Sequence, residues 1–164
     1  MVNHAHDAYE SMFEGATGRN ASRMSIGVRG GLIAAAATAG AVIGFGVRHG
    51  DWSAPFANLG FEVLSSLGLG VPAGLRLVTG FLTHAAWMIV WGIVFAMLST
   101  KRTAGTAIVL AIVVSVLAAV LARSVLPSSF GAVRFASLPG AQVALCVALM
   151  ALSLLSARAF NQAR

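Results

Sequence analysis

The chain alternates between long apolar runs and shorter polar segments. The apolar runs cover residues 28–47, 75–98, 104–122 and 138–157. Each is long enough to cross a hydrocarbon core about 30 Å thick, because a helix rises about 1.5 Å per residue. The pattern therefore predicts an all-α integral membrane protein with four transmembrane helices.

The first 26 residues form a polar segment ahead of the first apolar run. Acidic residues precede any apolar stretch, so this segment lacks the composition of a signal peptide. Its larger apolar residues and alanines recur at the three- and four-residue spacing of one helix face. They are Ala5, Tyr9, Met12, Phe13 and Ala16. We expect a short N-terminal amphipathic helix that ends at Gly15 and Gly18, separate from a membrane domain of residues 27–164. A partly ordered tail is the alternative for this segment.

The connection between the first two runs extends from His49 to Gly74. It is far longer than the 2–8 residues or so that usually join neighbouring helices. Ser53 and Pro55 form a helix start signal, and the apolar residues that follow helical spacing are Trp52, Phe56, Leu59, Val63 and Leu67. We expect an outer interfacial helix whose apolar face rests on lipid and on a neighbouring subunit. A re-entrant helix is the alternative, disfavoured because Glu62 would be costly to bury.

Composition and charge agree with a membrane protein. The chain is 58% hydrophobic and 10% charged, whereas soluble chains are about 45–50% apolar and about 25% charged. Its net charge of +6 does not indicate nucleic-acid binding, because the cations lie singly or in pairs at the ends of apolar runs. With the N-terminus inside, seven cations fall on the cytoplasmic side and four outside. This distribution favours cytoplasmic termini.

Acidic residues are missing from the second half of the chain, where no Asp or Glu follows Glu62. Proton-driven transporters, hydrolases and di-metal sites generally need a membrane carboxylate as proton carrier, base or ligand. Cys146 is the single cysteine, which excludes an intramolecular disulfide or a redox pair. We therefore expect no catalytic residue, no metal site and no enzyme activity. A small transporter or channel ranks third among the functions, because the spans lack a charged pathway.

His84 is the one ionisable residue well inside a predicted span, and Gly80 lies one turn before it. A glycine at that position leaves room for a flat macrocycle, so haem or chlorophyll binding is one hypothesis. The other is a neutral imidazole hydrogen-bonded to a neighbouring span, for example to Gln142 or Ser115. We expect the second and no cofactor, because bis-histidine haem ligation needs another buried histidine and the remaining histidines lie outside the spans.

Small residues follow one face of the first span at four-residue spacing, and such stripes allow membrane helices to approach closely. They are Ala36, Gly40 and Gly44. We expect this stripe to pack against another span of the same chain in preference to a dimer partner, and Gln142 to support helix packing. Aromatic and cationic residues near the outer boundary are expected to contact partners or lipid. They are Trp52, Phe56, Phe61, Arg48, Arg76, Arg123 and Arg134.

Three short motifs resemble uncharacterised four-span bacterial inner-membrane proteins. They are Pro55-Phe56-Ala57-Asn58, Gly80-Phe81-Leu82-Thr83-His84 and Trp91-Gly92-Ile93-Val94-Phe95-Ala96. In those proteins a Pro-Phe-Asn loop precedes a His and a Trp-Gly on the second span, whereas Ala57 interrupts the loop motif here. The resemblance covers mainly residues 28–98. It implies a fold and a bacterial inner-membrane location but no activity.

The sequence as a whole favours a non-enzymatic accessory or stabilising subunit of a larger membrane complex. Its partners would be membrane lipids and other integral membrane subunits, with no nucleic acid. The alternative is a haem- or bacteriochlorophyll-binding subunit of a respiratory or photosynthetic complex that uses His84.

Overall fold

The computed structural model describes residues 3–69, 72–99, 102–124 and 140–162, and every regular element in these ranges is an α-helix. The elements are α1 (Asn3–Arg48), α2 (Ala54–Ser66), α3 (Ala73–Ser99), α4 (Ala104–Ser124) and α5 (Gly140–Gln162). Four of the helices contain segments long and apolar enough to cross a membrane: Arg23–Arg48, Ala73–Ser99, Ala104–Ala122 and Gly140–Phe160. The all-α architecture and the four candidate spans are thus confirmed, and they suggest a multi-pass membrane protein.

The N-terminal segment and the first span form one helix of 46 residues, α1. The expected end at Gly15 and Gly18 is wrong, because the helix runs through both glycines. A glycine in a helix interior costs about 1 kcal/mol relative to alanine but does not block the helical backbone. The neighbouring Ala, Met, Glu and Arg residues are good helix formers, so the helix continues.

The four long helices form a bundle in which α1 packs against α3 and α5, and α4 closes the bundle against α5 and α3. Small and branched side chains meet at its centre, because close helix packing in lipid depends on van der Waals contact. The buried core consists of Ala34, Phe95, Ala111, Val114, Ala118, Met150, Ala151 and Leu154. All four long helices therefore contribute to one core.

Helices α1 and α3 run antiparallel with their backbones in direct contact. A Cβ atom added at Gly27 would lie 2.5 Å from the Cα of Ile93, and one added at Gly31 would lie 2.5 Å from the Cα of Ile89. A Cβ added at Gly92 would lie 2.7 Å from the backbone nitrogen of Gly31. We call this contact the glycine seam, and it requires residues without side chains.

The small-residue stripe that was predicted to pack inside the chain does not lie at the contact between α1 and α3. Ala36, Gly40 and Gly44 are all exposed. A Cβ added at Gly40 or Gly44 would meet no described atom within 4 Å. Helix α1 instead uses the opposite face, where Gly27 and Gly31 share a side with its buried residues. The expected packing within the chain is therefore absent from the described residues.

Candidate functional site

The start of α2 is fixed by Asp51, two residues before the N-cap. Its Oδ1 accepts hydrogen bonds from the backbone N–H groups of Ser53 at 2.9 Å and Ala54 at 3.1 Å, and from the Ser53 hydroxyl at 2.7 Å. The Ser53 hydroxyl bond, followed by the backbone bonds, lowers the pKa of Asp51. The helix begins at Ala54 with Pro55 in its first turn, as the start signal indicates, although the sequence pattern did not reveal the role of Asp51.

The end of α2 is also defined by local chemistry. Gly68 follows the helix with φ +70°, a left-handed conformation that glycine adopts without steric cost. The backbone N–H of Gly68 donates to Ser65 at 3.0 Å, and that of Leu69 donates to Leu64 at 3.1 Å. These bonds satisfy carbonyl groups that the helix end would leave free.

Helix α2 lies lengthwise along the first half of α3. A Cβ added at Gly60 would overlap the carbonyl oxygen of Arg76, and one added at Gly80 would overlap that of Phe56. Gly60 of α2 thus meets Arg76 of α3, and Phe56, four residues earlier in α2, meets Gly80, four residues later in α3. The two helices therefore run side by side and antiparallel. A helix lying across α3 would touch it at one level only. Glu62 of α2 is partly exposed.

The apolar side of α2 is partly buried inside the chain. Phe56 is 2% exposed, and Leu59 and Leu64 are each 7% exposed. The Phe56 ring stacks on Phe81 with centroids 4.0 Å apart. Trp52 and Leu67, which the sequence placed on the same face, are exposed. Phe56 and Leu59 of the predicted face are therefore buried inside the chain, which corrects for these two residues the expectation that the face rests on lipid and a neighbouring subunit.

His84 is buried between α1 and α2, with 6% of its surface exposed. Its Nε2 lies 3.0 Å from the Thr38 hydroxyl oxygen, and that hydroxyl lies 2.7 Å from the carbonyl oxygen of Ala34. Both bonds are satisfied when Nε2 donates to Thr38 and Thr38 donates to Ala34, because the hydroxyl has one proton. The Phe56 ring meets the imidazole edge-on with centroids 5.5 Å apart.

The hydrogen-bond partner of His84 is therefore Thr38, not Gln142 or Ser115. Gln142 instead donates from Nε2 to the carbonyl oxygen of Ala41 at 2.7 Å and so links α5 to α1. The Ser115 hydroxyl is buried without a hydrogen-bond partner among the described residues. The sequence could not identify Thr38, because the two residues are 46 positions apart and their pairing depends on the register of α1 against α3.

The arrangement around His84 does not fit a flat macrocycle ligated through Nε2. The space beside Gly80, which the sequence pattern left open for a ring, is filled by the Phe56 backbone of α2. Nε2 is already engaged by Thr38. In the described ranges, no three His, Cys, Asp or Glu residues are grouped in a way that could hold a metal ion.

The aromatic and cationic residues expected at the outer boundary have different surroundings. Arg48 is exposed at the end of α1. The Arg76 guanidinium lies over the Phe61 ring, 4.7 Å from its centroid, a cation–π contact. The side chain of Arg123 and the whole of Arg134 lie outside the described residues.

One side of α1 is exposed between residues 29 and 44 in the described part of the chain. Its residues are exposed and succeed one another at three- and four-residue spacing, which places them on one face. We define this α1 outer face as Arg29, Leu32, Ile33, Ala36, Gly40 and Gly44. Gly40 and Gly44 leave a groove on this face, and Arg29 places a cation at its N-terminal end.

We expect His84 and Thr38 to be energetically coupled. His84→Ala should lower the free energy of unfolding by about 0.6–2 kcal/mol, the range for an interhelical hydrogen bond in a membrane. Thr38→Val is the matched partner variant, and the double variant should lose less than the sum of the two single losses. Unfolding in mixed micelles with increasing dodecyl sulfate measures all three. Strict additivity would show that the bond contributes nothing.

Comparison of the chain with protein families, curated proteins and solved structures gives no match.

Proposed function

We propose that this protein is a non-enzymatic accessory or stabilising subunit of a larger membrane complex, in a bacterial inner membrane with both termini cytoplasmic. The orientation rests on the distribution of cations between the two sides. The location rests on the resemblance of residues 28–98 to four-span inner-membrane proteins.

The observation that carries this proposal is the α1 outer face. Gly40 and Gly44 each disfavour a helix by about 1 kcal/mol relative to alanine. Neither makes a compensating contact within the described chain. In lipid, glycines at four-residue spacing allow a second helix to approach the backbone. A neighbouring subunit would supply the contact that the described part of the chain does not.

The buried polar groups support a packing role over a chemical one. The imidazole of His84 is hydrogen-bonded within the bundle, and the Gln142 amide joins two helices. Both side chains thus hold helices together. Membrane helices commonly use histidine and glutamine side chains for such contacts.

The mass of the protein in its native membrane tests the proposal. We expect wild-type protein, extracted in polymer-bounded nanodiscs, to migrate as a complex larger than its own 16.8 kDa. The double variant Gly40→Leu, Gly44→Leu should lose the additional subunit, because leucine side chains fill the groove. Ala148→Leu is the matched control, since Ala148 is exposed on another helix, and it should retain the complex. A wild-type protein that migrates as a single chain would contradict the proposal.

A further inference from the structure

Two arginines from different elements meet at the end of the bundle where α3 ends and α4 begins. The Arg158 guanidinium of α5 donates from Nη2 to the backbone carbonyl oxygen of Arg102 at 2.6 Å. Arg102 lies between α3 and α4, and its backbone N–H donates to the Ser99 carbonyl oxygen at 3.1 Å. The two guanidinium groups are therefore within the length of one arginine side chain of each other. We call Arg102 and Arg158 the arginine pair.

The described acidic side chains lie at the other end of the bundle. They are those of Asp51 and Glu62. Asp51 bonds to the start of α2 and Glu62 lies within α2, and this helix contacts α3 at Arg76. Arg76 precedes the end of α3 at Ser99 by 23 residues, about 35 Å along the helix. Neighbouring like charges repel, so an anion from outside the described residues would stabilise the arginine pair.

The arginine pair lies at a common boundary of three candidate spans. The span in α3 ends at Ser99, the span in α4 begins at Ala104, and the span in α5 ends at Phe160. Lipid phosphate groups lie just outside the hydrocarbon core, at this boundary. Apolar side chains within about two turns of the pair are exposed, because Val109 is 62% and Phe160 is 74% accessible. A lipid at this position would meet cations at its headgroup and apolar side chains along its acyl chains.

We propose that the arginine pair binds the phosphate group of an anionic phospholipid, with the acyl chains against exposed apolar side chains of α4 and α5. A guanidinium group binds a phosphate through two parallel N–H···O bonds, and basic pockets between membrane helices bind phospholipid headgroups. In the orientation proposed above, this lipid belongs to the cytoplasmic leaflet. The inference does not depend on a neighbouring subunit, because a single chain supplies both arginines.

Native mass spectrometry of the purified full-length chain tests the proposal. The protein in detergent is titrated with dioleoyl phosphatidylglycerol or with dioleoyl phosphatidylcholine, the zwitterionic control with the same acyl chains. The intensities of the one-lipid adducts give the two dissociation constants. We expect phosphatidylglycerol to bind at least about fivefold more tightly, since one arginine near an anionic headgroup contributes about that factor. Glycerol phosphate, which has the phosphate without acyl chains, should not displace the lipid at equal concentration.

Neutralising either arginine should weaken phosphatidylglycerol binding by about fivefold and leave phosphatidylcholine binding unchanged. Arg102→Gln retains the backbone carbonyl that accepts the bond from Arg158, whereas Arg158→Gln removes that bond together with the charge. The result for Arg102→Gln decides if Arg158→Gln lowers the helix content, because Arg102 is exposed. Arg48→Gln is the matched control. It removes the same charge at the far end of α1 and should keep the preference.

Four outcomes would overturn the proposal. Equal affinities of the wild-type chain for the two lipids would show that the arginine pair selects no anionic lipid. An equal loss in Arg48→Gln would show that net charge alone attracts the lipid. Displacement by glycerol phosphate would assign the pair to a soluble phosphate. Tighter lipid binding by the triple variant Asp7→Asn, Glu10→Gln, Glu14→Gln would show that a carboxylate of the chain itself occupies the pair.

Discussion

Gly92→Val should lower the free energy of unfolding of the bundle by about 3 kcal/mol or more, because the glycine seam has no room for a side chain. A Cβ at this position would lie 2.7 Å from the nitrogen and 2.9 Å from the Cα of Gly31. Both are backbone atoms, so no side chain can rotate away, and α1 must separate from α3. The separation would also lengthen the bond between His84 and Thr38, because the two residues lie on the same pair of helices.

Unfolding in mixed micelles measures this effect, and Gly44→Val is the matched control. Gly44 has the same residue type and helical setting on α1, but no atom of the described residues lies within 4 Å of an added Cβ. Valine has a somewhat higher helix propensity than glycine, so the control should change the free energy of unfolding by less than about 1 kcal/mol. Equal losses in the two variants would mean that the glycine seam is not a close backbone contact.

Gly80→Val should detach α2 from α3 while the four long helices remain assembled. The added side chain would overlap the carbonyl oxygen of Phe56. Displacing α2 exposes Phe56 and Leu59, and fully burying one such side chain contributes about 1.5–3 kcal/mol. We therefore expect the docking of α2 to weaken by about 3 kcal/mol.

Thiol labelling reports the position of α2. In a Cys146→Ala background, Leu59→Cys should react slowly with a maleimide, because residue 59 is 7% exposed. The reaction should become much faster when Gly80→Val is added. Gly74→Val is the matched control and should leave labelling slow. Gly74 lies in the first turn of α3, and no described atom lies within 4 Å of an added Cβ there. Fast labelling without Gly80→Val would show that α2 is not docked.

The sequence predicted the elements that depend on composition along the chain. Predicting the spans required only apolar length, and predicting α2 required a start signal at Ser53 and Pro55 and apolar residues at helical spacing. The position of α2 against α3 could not be predicted from composition. It depends on close backbone contacts between Gly60 and Arg76 and between Gly80 and Phe56. The less favoured of two hypotheses treated the space beside Gly80 as room for a macrocycle, and in the structure the Phe56 backbone occupies that space.

The sequence also could not show which small residues pack within the chain. Gly31 and Gly40 both lie in apolar helix at spacings compatible with close packing. Only the facing helix distinguishes them, because Gly31 meets the Ile89 backbone and Gly40 meets nothing within the described chain. The partner of His84 was uncertain for the same reason. A sequence shows which side chains can form a hydrogen bond, whereas helix register decides which of them meet.

The position of α3 within the bundle has a consequence for biogenesis. During synthesis α1 and α2 emerge from the ribosome first, yet α1 contacts α3 along the glycine seam and α2 buries Phe56 against it. Neither early helix can reach its final environment until residues 73–99 have left the translocation machinery. The carbonyl group of Ala41 acquires its bond from Gln142 only when α5 follows. A nascent chain arrested before α3 would therefore expose the seam glycines of α1 and the Phe56 side chain of α2 to lipid or to insertion factors. The bundle would complete its folding only after insertion.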